Sequence, residues 1–228
     1  MGRLWFLLTF GLIGTGILIG LGTWQVQRLA WKQEMLAGIE AEIGADPVPL
    51  ASALAPTFRR YAPVEVTGQF DTGHIRMLAS RRTTGAVYRV IRPFVTDGGK
   101  RVLVDTGWHL QSRDTMAAPD VALSLIGNLD APQEADGFTP PPDLVGNIWF
   151  ARDVPAMAQA LNTDPVMVVL RDAPEIDLGV TPWPVDTAGI PNDHLQYALT
   201  WFSLAVIWAG MTSYFLWRTR RSAVSKGT

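Results

Sequence analysis

The chain contains three histidines, and His194 is the one placed where it could bind a cofactor. It immediately precedes a long apolar run, and neutral imidazole is a common ligand of haem iron. Small residues follow it on one helical face, at Ala198, Ala205 and Ala209, and the first apolar run offers Gly16-x-x-x-Gly20 as a matching face. Such stripes let a helix or a flat cofactor approach the backbone. A histidine that hydrogen-bonds a lipid headgroup fits the spacing equally well.

Cationic and aromatic residues accompany this histidine. Arg28 and Lys32 follow the first apolar run, at a depth comparable to that of His194. A guanidinium forms a planar, bidentate pair with a carboxylate such as a haem propionate, but lipid phosphate is an equally good partner. Trp24, Tyr197 and Trp201 could pack against a porphyrin, and an ordinary interfacial belt of aromatic residues would look the same. The residues alone leave both interpretations open.

The other residues that could do chemistry predict no second site. His74 and His109 lack the partner spacing of metal ligands, and we expect both to be structural. The carboxylates are scattered, with no pair spaced for acid–base catalysis and no nucleophile elbow or phosphate-binding glycine loop beside them. The absence of cysteine excludes disulfides, thiolate metal sites and a Cys-x-x-Cys-His haem attachment. We therefore predict that the protein is not an enzyme.

Two charge-free runs, Leu4 to Trp24 and Leu195 to Trp217, are each long enough as a helix to cross roughly 30 Å of hydrocarbon. A central Arg or Lys would cost about 2.5–3.5 kcal/mol, so their absence favours two spans. The first run is too long for a signal peptide and lacks an Ala-x-Ala cleavage pattern, so we expect it to be retained. The predicted division is a cytoplasmic N-terminus at 1–3, a transmembrane helix at 4–24, a periplasmic domain at 25–194 that begins with a helical extension over 25–45, a transmembrane helix at 195–217 and a cytoplasmic tail at 218–228.

The basic residues beyond the second run predict the orientation. Arg218, Arg220, Arg221 and Lys226 form a tail without acidic residues, which is typical of the cytoplasmic side. Two spans return the chain to its starting side, so both termini are expected in the cytoplasm and the central domain in the periplasm. The predicted location is a bacterial inner membrane, with membrane lipid as a partner. Residues 33–190 carry twelve Lys or Arg against twenty Asp or Glu, which argues against nucleic acid as a partner.

The central region reads as short strands separated by turns. Residues 61–70 place Val64 and Val66 on one face and Glu65 and Thr67 on the other. Further strands are predicted at 74–79, 86–95, 100–105, 121–129, 146–151 and 165–170, with a hairpin turn at Asp97-Gly98-Gly99 and one helix at 154–161 that Asp153 caps. The predicted fold class is an α+β membrane protein: one transmembrane helix at each end flanks a mainly antiparallel, barrel- or sandwich-like β domain with one short helix.

Two long motifs resemble the surfeit locus protein 1 family. The end of the first run, Gly22-Thr-Trp24-Gln25-Val-Gln-Arg28-Leu-Ala-Trp31-Lys32, is similar to the family's GxWQxxRxxWK signature. The start of the second, Asn192-Asp-His194-Leu195-Gln-Tyr197-Ala198-Leu-Thr200-Trp201-Phe202, is similar to NxHLxYAxTWF. Three central segments resemble the family's strand motifs in the same order: Val66-Thr-Gly68-Gln-Phe70, Val102-Leu-Val-Asp-Thr-Gly107-Trp108 and Asn147-Ile-Trp149-Phe-Ala-Arg152-Asp153. The segment at 106–110 departs from the family's Arg-Gly-Trp-Val-Pro, which bears on partner contacts.

The resemblance implies a function. Members of that family are cytochrome c oxidase assembly factors, and bacterial ones are held to bind haem a and to help its delivery to oxidase subunit I. The resemblance implies His194 as the iron ligand. We then predict Arg28 near a propionate, with Trp24, Gln25, Tyr197 and Trp201 as the rest of the site. Haem A synthase and cytochrome c oxidase subunit I are the implied partners. The alternative is a cofactor-free scaffold that stabilises subunit I during assembly; a haem-dependent oxidoreductase would need proton-handling groups that the sequence does not offer.

Overall fold

A computed structural model of the protein describes residues 2–55, 57–172 and 176–224, so Lys226 of the basic tail lies outside the described residues. The chain divides into two compact units: one holds Met1–Gly38 with Ala188–Thr228, and the other holds Ile39–Thr187. In chain order the elements are α1 (Gly2–Gly44), β1 (Val48–Pro49), α2 (Leu50–Leu54), β2 (Pro63–Phe70), β3 (Ile75–Arg81), β4 (Gly85–Thr96), β5 (Arg101–Leu110), β6 (Leu123–Asp130), β7 (Ile148–Trp149), α3 (Val154–Leu161), β8 (Met167–Leu170) and α4 (His194–Val224).

Two of the described helices, over Leu4–Gly44 and His194–Arg221, are long and apolar enough to cross a membrane, by length and composition. They are the terminal helices that the two apolar runs predict. α1 shows no break after Trp24 and ends at Gly44, just before the Asp46-Pro47 pair that disfavours helix. The prediction of one long helix at each end of the chain is confirmed.

Glycine residues of α1 lie against side chains of α4. A Cβ at any of three glycines would collide with the opposite helix, and the pairs are Gly11 with Thr212, Gly14 with Trp208 and Gly22 with Phe202. Trp208 Nε1 also donates to the carbonyl of Gly11 at 3.2 Å. On α4, Ala198 and Ala205 are buried. Small residues on both helices therefore let the two backbones come close together.

The predicted Gly16-x-x-x-Gly20 face is wrong. Both glycines are exposed, and a Cβ built at either one would have no heavy atom within 4 Å. The reason is helical geometry. Gly16 and Gly20 each lie two residues from a glycine that does face α4, Gly14 and Gly22, and two residues correspond to about 200° of rotation. The stripe of Ala198 and Ala205 is on the face that packs, whereas the Gly16–Gly20 stripe is on the opposite side of α1.

The second unit is a small β-barrel. Its strands follow the order β1-β2-β6-β8-β5-β4-β3-β7, and an additional β2–β4 pairing closes β2, β6, β8, β5 and β4 into a ring. Most pairs are antiparallel, and β8 runs parallel to β5. β2 alternates buried and exposed residues from Val64 to Phe70, as its sequence predicts. The mainly antiparallel, barrel-like domain is confirmed.

Several elements of the barrel differ from their predicted bounds. β5 continues to Leu110 rather than ending at Asp105, because residues 107–110 pair with β4 over residues 87–90. On its other side, Trp108 forms two backbone hydrogen bonds with Thr181. The strand predicted at 146–151 is reduced to Ile148–Trp149, next to the left-handed Asn147 (φ 50°). The short elements β1 and α2 were not predicted. α3 has the predicted bounds, with the Asp153 carboxylate accepting from the Ala156 N–H at 3.1 Å.

A buried charge cluster joins two of the motifs that carry the family resemblance. Asp105, 1% exposed, pairs with Arg89, and Arg152 Nη1 lies 3.6 Å from Asp105 Oδ2 and 3.5 Å from Asp130 Oδ2. Arg152 also donates to Glu134 at 3.0 Å. Burial raises the pKa of Asp105, while the charges of Arg89 and Arg152 act in the opposite direction. Asp105 has two cationic partners, and Arg152 reaches it from the segment before α3, so the cluster joins β5 to that segment.

The glycine contacts give a test with a matched control. Gly11→Leu should lower the thermal unfolding midpoint of the two helices, because the β-branched Thr212 cannot rotate its own Cβ out of the way and overpacking costs about 1–3 kcal/mol. Gly16→Leu is the control: it raises helix propensity by the same amount as Gly11→Leu, but on the exposed face. Its unfolding midpoint should equal or exceed that of wild type. The measurement is circular dichroism at 222 nm in one detergent, and equal midpoints for the two variants would contradict the helix pairing.

Candidate functional site

His194 and Gln25 meet where α4 begins. His194 Nδ1 lies 2.8 Å from Gln25 Oε1, although 169 residues separate the two in sequence. Gln25 is 8% exposed, and among the described residues of the two helices it is the one buried polar residue. A buried amide without a partner is costly in an apolar environment, so this hydrogen bond stabilises the pairing of the helices at this level.

The hydrogen bond determines which ring nitrogen carries the proton. Gln25 Oε1 accepts, so His194 Nδ1 donates and the lone pair of the neutral imidazole lies on Nε2. None of the residues that the structure describes hydrogen-bonds Nε2. Metal-bound histidines almost always donate their other ring N–H to an acceptor, which fixes the tautomer and the orientation of the ring. The arrangement leaves the Nε2 lone pair available and has the second hydrogen bond that metal-binding histidines have.

The local sequence explains why these two side chains meet. Gln25 follows Gly22 by three residues, so it lies on the face of α1 that carries the contacting glycines. Ala198 follows His194 by one turn and is buried, and Phe202 one turn further on lies against Gly22. A larger residue at Gly22 or Ala198 would hold the helices apart and leave the amide short of the ring.

Arg28 lies one turn beyond Gln25 on α1. Its side chain is exposed, and its Cζ lies 4.5 Å from the centroid of the Trp31 ring. No carboxylate of the described ranges forms an ion pair with Arg28. The guanidinium is therefore supported by a cation–π contact, and none of its donors is in an ion pair with a described carboxylate. Lys32 is half-buried and lies one turn further from Gln25.

The aromatic residues predicted for the site do not form a closed pocket around His194. Trp24 is 51% exposed and Tyr197 is 54% exposed, while Trp201 is half-buried. In the part of the chain that the structure describes, no ring contact joins any of the three to His194. Their role in binding stays a prediction, and the exposed rings of Trp24 and Tyr197 flank the Gln25–His194 pair in sequence.

Two features of the site were not predicted. Asn192 Oδ1 is buried without a hydrogen-bond partner among the described residues, two positions before His194. Trp31 supports the Arg28 guanidinium, a role that their i, i+3 spacing on one helix could have indicated. For Gln25 the sequence predicted a place in the site, but it carried no signal for the partner on the other helix.

The other two histidines, His74 and His109, lie in the β domain. His109 is 4% exposed, and both of its ring nitrogens are engaged: Nδ1 with the Leu110 carbonyl at 2.8 Å and Nε2 with Thr115 Oγ1 at 2.9 Å. Burial lowers the pKa of His74. No group of three or more His, Asp or Glu side chains in the described ranges could hold a metal ion. His194 therefore differs from His109, whose two ring nitrogens are engaged, and from His74, for which the described residues form no hydrogen bond to a ring nitrogen.

The family model and the individual proteins that match this chain all belong to one family. The model of the SURF1 family matches residues 12–206, a range that includes both Gln25 and His194. A SURF1-like protein of Rickettsia felis is 32% identical over 86% of this chain and 90% of the relative. Surfeit locus protein 1 of Rattus norvegicus is 28% identical over 94% of this chain and 74% of the relative, and that of Homo sapiens is 31% identical over 87% and 72%.

The His194 tautomer is directly testable. In protein carrying 15N-labelled histidine at a pH where the ring is neutral, His194 should be protonated at Nδ1, and Gln25→Leu should shift the proton towards Nε2 because the acceptor is lost. Gln27→Leu, at an exposed position of the same helix, is the control and should leave the tautomer unchanged. The readout is the pair of ring 15N chemical shifts, assigned with His194→Ala. The same tautomer ratio in wild type and Gln25→Leu would rule out the hydrogen bond.

Proposed function

The chain belongs to the SURF1 family, and on that premise we propose that it is a cytochrome c oxidase assembly factor that binds haem a and assists its delivery to oxidase subunit I. The observation that supports haem binding most directly is the hydrogen bond from His194 to Gln25, which leaves Nε2 as a lone-pair donor. Neutral imidazole is a common axial ligand of haem iron. The proposed role is non-catalytic.

The residues around His194 fit the chemistry of a haem. When it is bound, the iron accepts the imidazole lone pair and the propionates present carboxylates to their surroundings. Arg28 has no carboxylate partner among the described residues, and a guanidinium matches a carboxylate in a planar, bidentate pair. Trp24 and Tyr197 expose large aromatic surfaces suited to a porphyrin face. Gln25 would hold the ring of His194 in one orientation throughout binding and release.

A haem that is cargo must also be released. The chain has no cysteine, so no thioether bond can attach the porphyrin covalently. One imidazole and one exposed cation make a site that holds haem through few interactions, each of which a receiving protein can replace. This suits transfer to oxidase subunit I after loading from haem A synthase, the two partners that we propose.

We place the protein in the bacterial inner membrane with two spans and a periplasmic β domain. Support comes from the two apolar terminal helices and from the basic end of α4, where Arg218, Arg220 and Arg221 lie within the described residues. Arg221 lies 4.2 Å from the Trp217 ring centroid, a pairing that suits the membrane–water boundary and contact with lipid headgroups.

A cofactor-free scaffold is the second candidate, because the β domain exposes apolar side chains in one loop. Phe138 is 96% exposed, Leu144 is 72% exposed and Val145 is 99% exposed. Such residues are typical of a surface that contacts another protein. In this version the protein would stabilise subunit I while another protein inserts the haem.

Replacing the histidine distinguishes the two candidates. His194→Ala should abolish most haem a binding in protein purified from cells that make haem a, because the iron loses its ligand. His74→Ala removes a histidine of the β domain and should retain wild-type occupancy. The measurement is pyridine haemochrome per mole of protein, with circular dichroism as a check on folding. Unchanged occupancy in His194→Ala would remove this residue from the site, and no haem in the wild type would favour the scaffold.

The propionate partner is tested by a pair of cation substitutions. Arg28→Gln should raise the Kd for haem by about threefold to tenfold, the lower end of what a charge-assisted hydrogen bond contributes at an exposed site. Lys32→Gln, one turn further from Gln25, should change the Kd by less than about twofold. Haem is titrated into the apo forms in the same detergent. Equal affinities for wild type and both variants would remove Arg28 from the site, as the lipid-phosphate interpretation predicts.

The orientation is tested by reporter fusions. Alkaline phosphatase fused after Gly137, in the β domain, should be active because it is exported. The same enzyme fused after Lys226, in the basic tail, should be inactive because that tail stays in the cytoplasm. Expression of both fusions is checked by immunoblot. The reverse pattern of activities would place the domain and His194 on the cytoplasmic side.

A further inference from the structure

The β domain contains a cavity of about 620 Å³ that the proposed haem site does not use. Its walls come from the ends of β2 and β4, the segment from Asp71 to His74, and the segment from Thr115 to Asp120 between β5 and β6. This volume is within the range of small-molecule sites, roughly 300–1,000 Å³. Arg92 of β4 is part of the wall.

Arg92 is a buried cation without a carboxylate. It is 1% exposed, and no Asp or Glu of the described ranges forms an ion pair with it. Nη2 donates to the carbonyl of Met116 at 2.9 Å and to that of Leu178 at 3.4 Å. Nε is buried with no acceptor among the described residues. The other buried arginine of β4, Arg89, is paired with Asp105, so the unpaired state of Arg92 is a specific property of this position.

A buried charge that is compensated only by carbonyl dipoles is costly, and a bound anion would offset that cost. The charges around the cavity favour a monoanion. Asp71 is already paired with Arg101, which lowers its pKa, and Asp120 adds a further carboxylate at the wall. A phosphate dianion would therefore meet repulsion, while a single carboxylate would match the one uncompensated guanidinium.

The remaining walls define the rest of the ligand. Phe70, Val95, Met116 and Ala118 contribute apolar surface, and Thr72 and Thr115 contribute hydroxyl groups. The lining therefore mixes apolar side chains with polar and charged ones, which suits a ligand that has an apolar body and one charged group. We propose that this cavity binds a small organic acid, with its carboxylate on Arg92 and its apolar body against Phe70 and Val95.

His74 provides a reporter inside the cavity. It lines the wall, and burial together with the charge of Arg92 lowers its pKa. An anion bound at Arg92 screens that charge, so the ring resonances of His74 should move as the cavity fills. The chain has three histidines, which makes their signals separable by single substitutions.

The test uses the full-length protein in detergent, with benzoate as the probe and benzamide as its neutral counterpart of the same shape. Benzoate should shift the His74 ring resonances to saturation, and benzamide should bind at least about tenfold more weakly. Arg92→Met should raise the Kd for benzoate at least about tenfold. Arg113→Met removes an exposed arginine outside this cavity, and its Kd should stay within about twofold of wild type.

Four outcomes would overturn the proposal: no saturable shift in the wild type, equal affinity for benzamide, equal affinity in Arg92→Met, or inorganic phosphate binding as tightly as benzoate. Arg92→Met also loses the hydrogen bond to the Met116 carbonyl, so circular dichroism checks that this variant folds. If it does not, Ala117→Phe fills the cavity from an exposed wall position and keeps Arg92. That variant should lose the saturable His74 shift, and retention of the wild-type Kd would refute the site.

Discussion

The close approach of α1 and α4 is the constraint on which the candidate site depends. Gly11, Gly14 and Gly22 have no side chains where α4 lies against them, and the buried Ala198 lies one turn beyond His194. The side chain of Gln25 can reach the imidazole of His194, the first residue of α4, only if the two helices approach this closely. The Gln25–His194 hydrogen bond then fixes the tautomer, and with it the nitrogen that is open to a ligand.

Each unit contains polar groups that its packing leaves unpaired: Arg92 in the barrel, and His194 Nε2 and Arg28 in the helix unit. In the barrel, Asp105 is compensated by Arg89 and Arg152, so this charge cluster serves packing. In the helix unit, His194 and Arg28 each keep a donor or lone pair that no described residue uses. His194 is half-buried and Arg28 is exposed, so a ligand can reach the groups that both leave unshared.

The sequence predicted those elements that local physics determines. Charge-free length indicated both terminal helices, alternation indicated β2, and the Asp153 cap with its following proline indicated α3. Contacts between segments that are distant in the sequence could not be predicted. α1 has glycines on more than one face, so composition could not select Gly11 and Gly22 over Gly16 and Gly20. Arg92 lies in a strand where a charged residue suggests a solvent-facing position; its burial depends on carbonyls 24 and 86 residues away.

The central claim is that His194 Nε2 is the ligand of haem iron while Gln25 holds Nδ1. The most direct measurement is electron–nuclear double resonance on the ferric haem-loaded protein, prepared with 15N-labelled histidine. The account predicts a strong 15N hyperfine coupling from a directly bound nitrogen, retained in His74→Ala and absent in His194→Ala. A coupling of unchanged size in His194→Ala, or no histidine coupling in haem-loaded wild type, would contradict it.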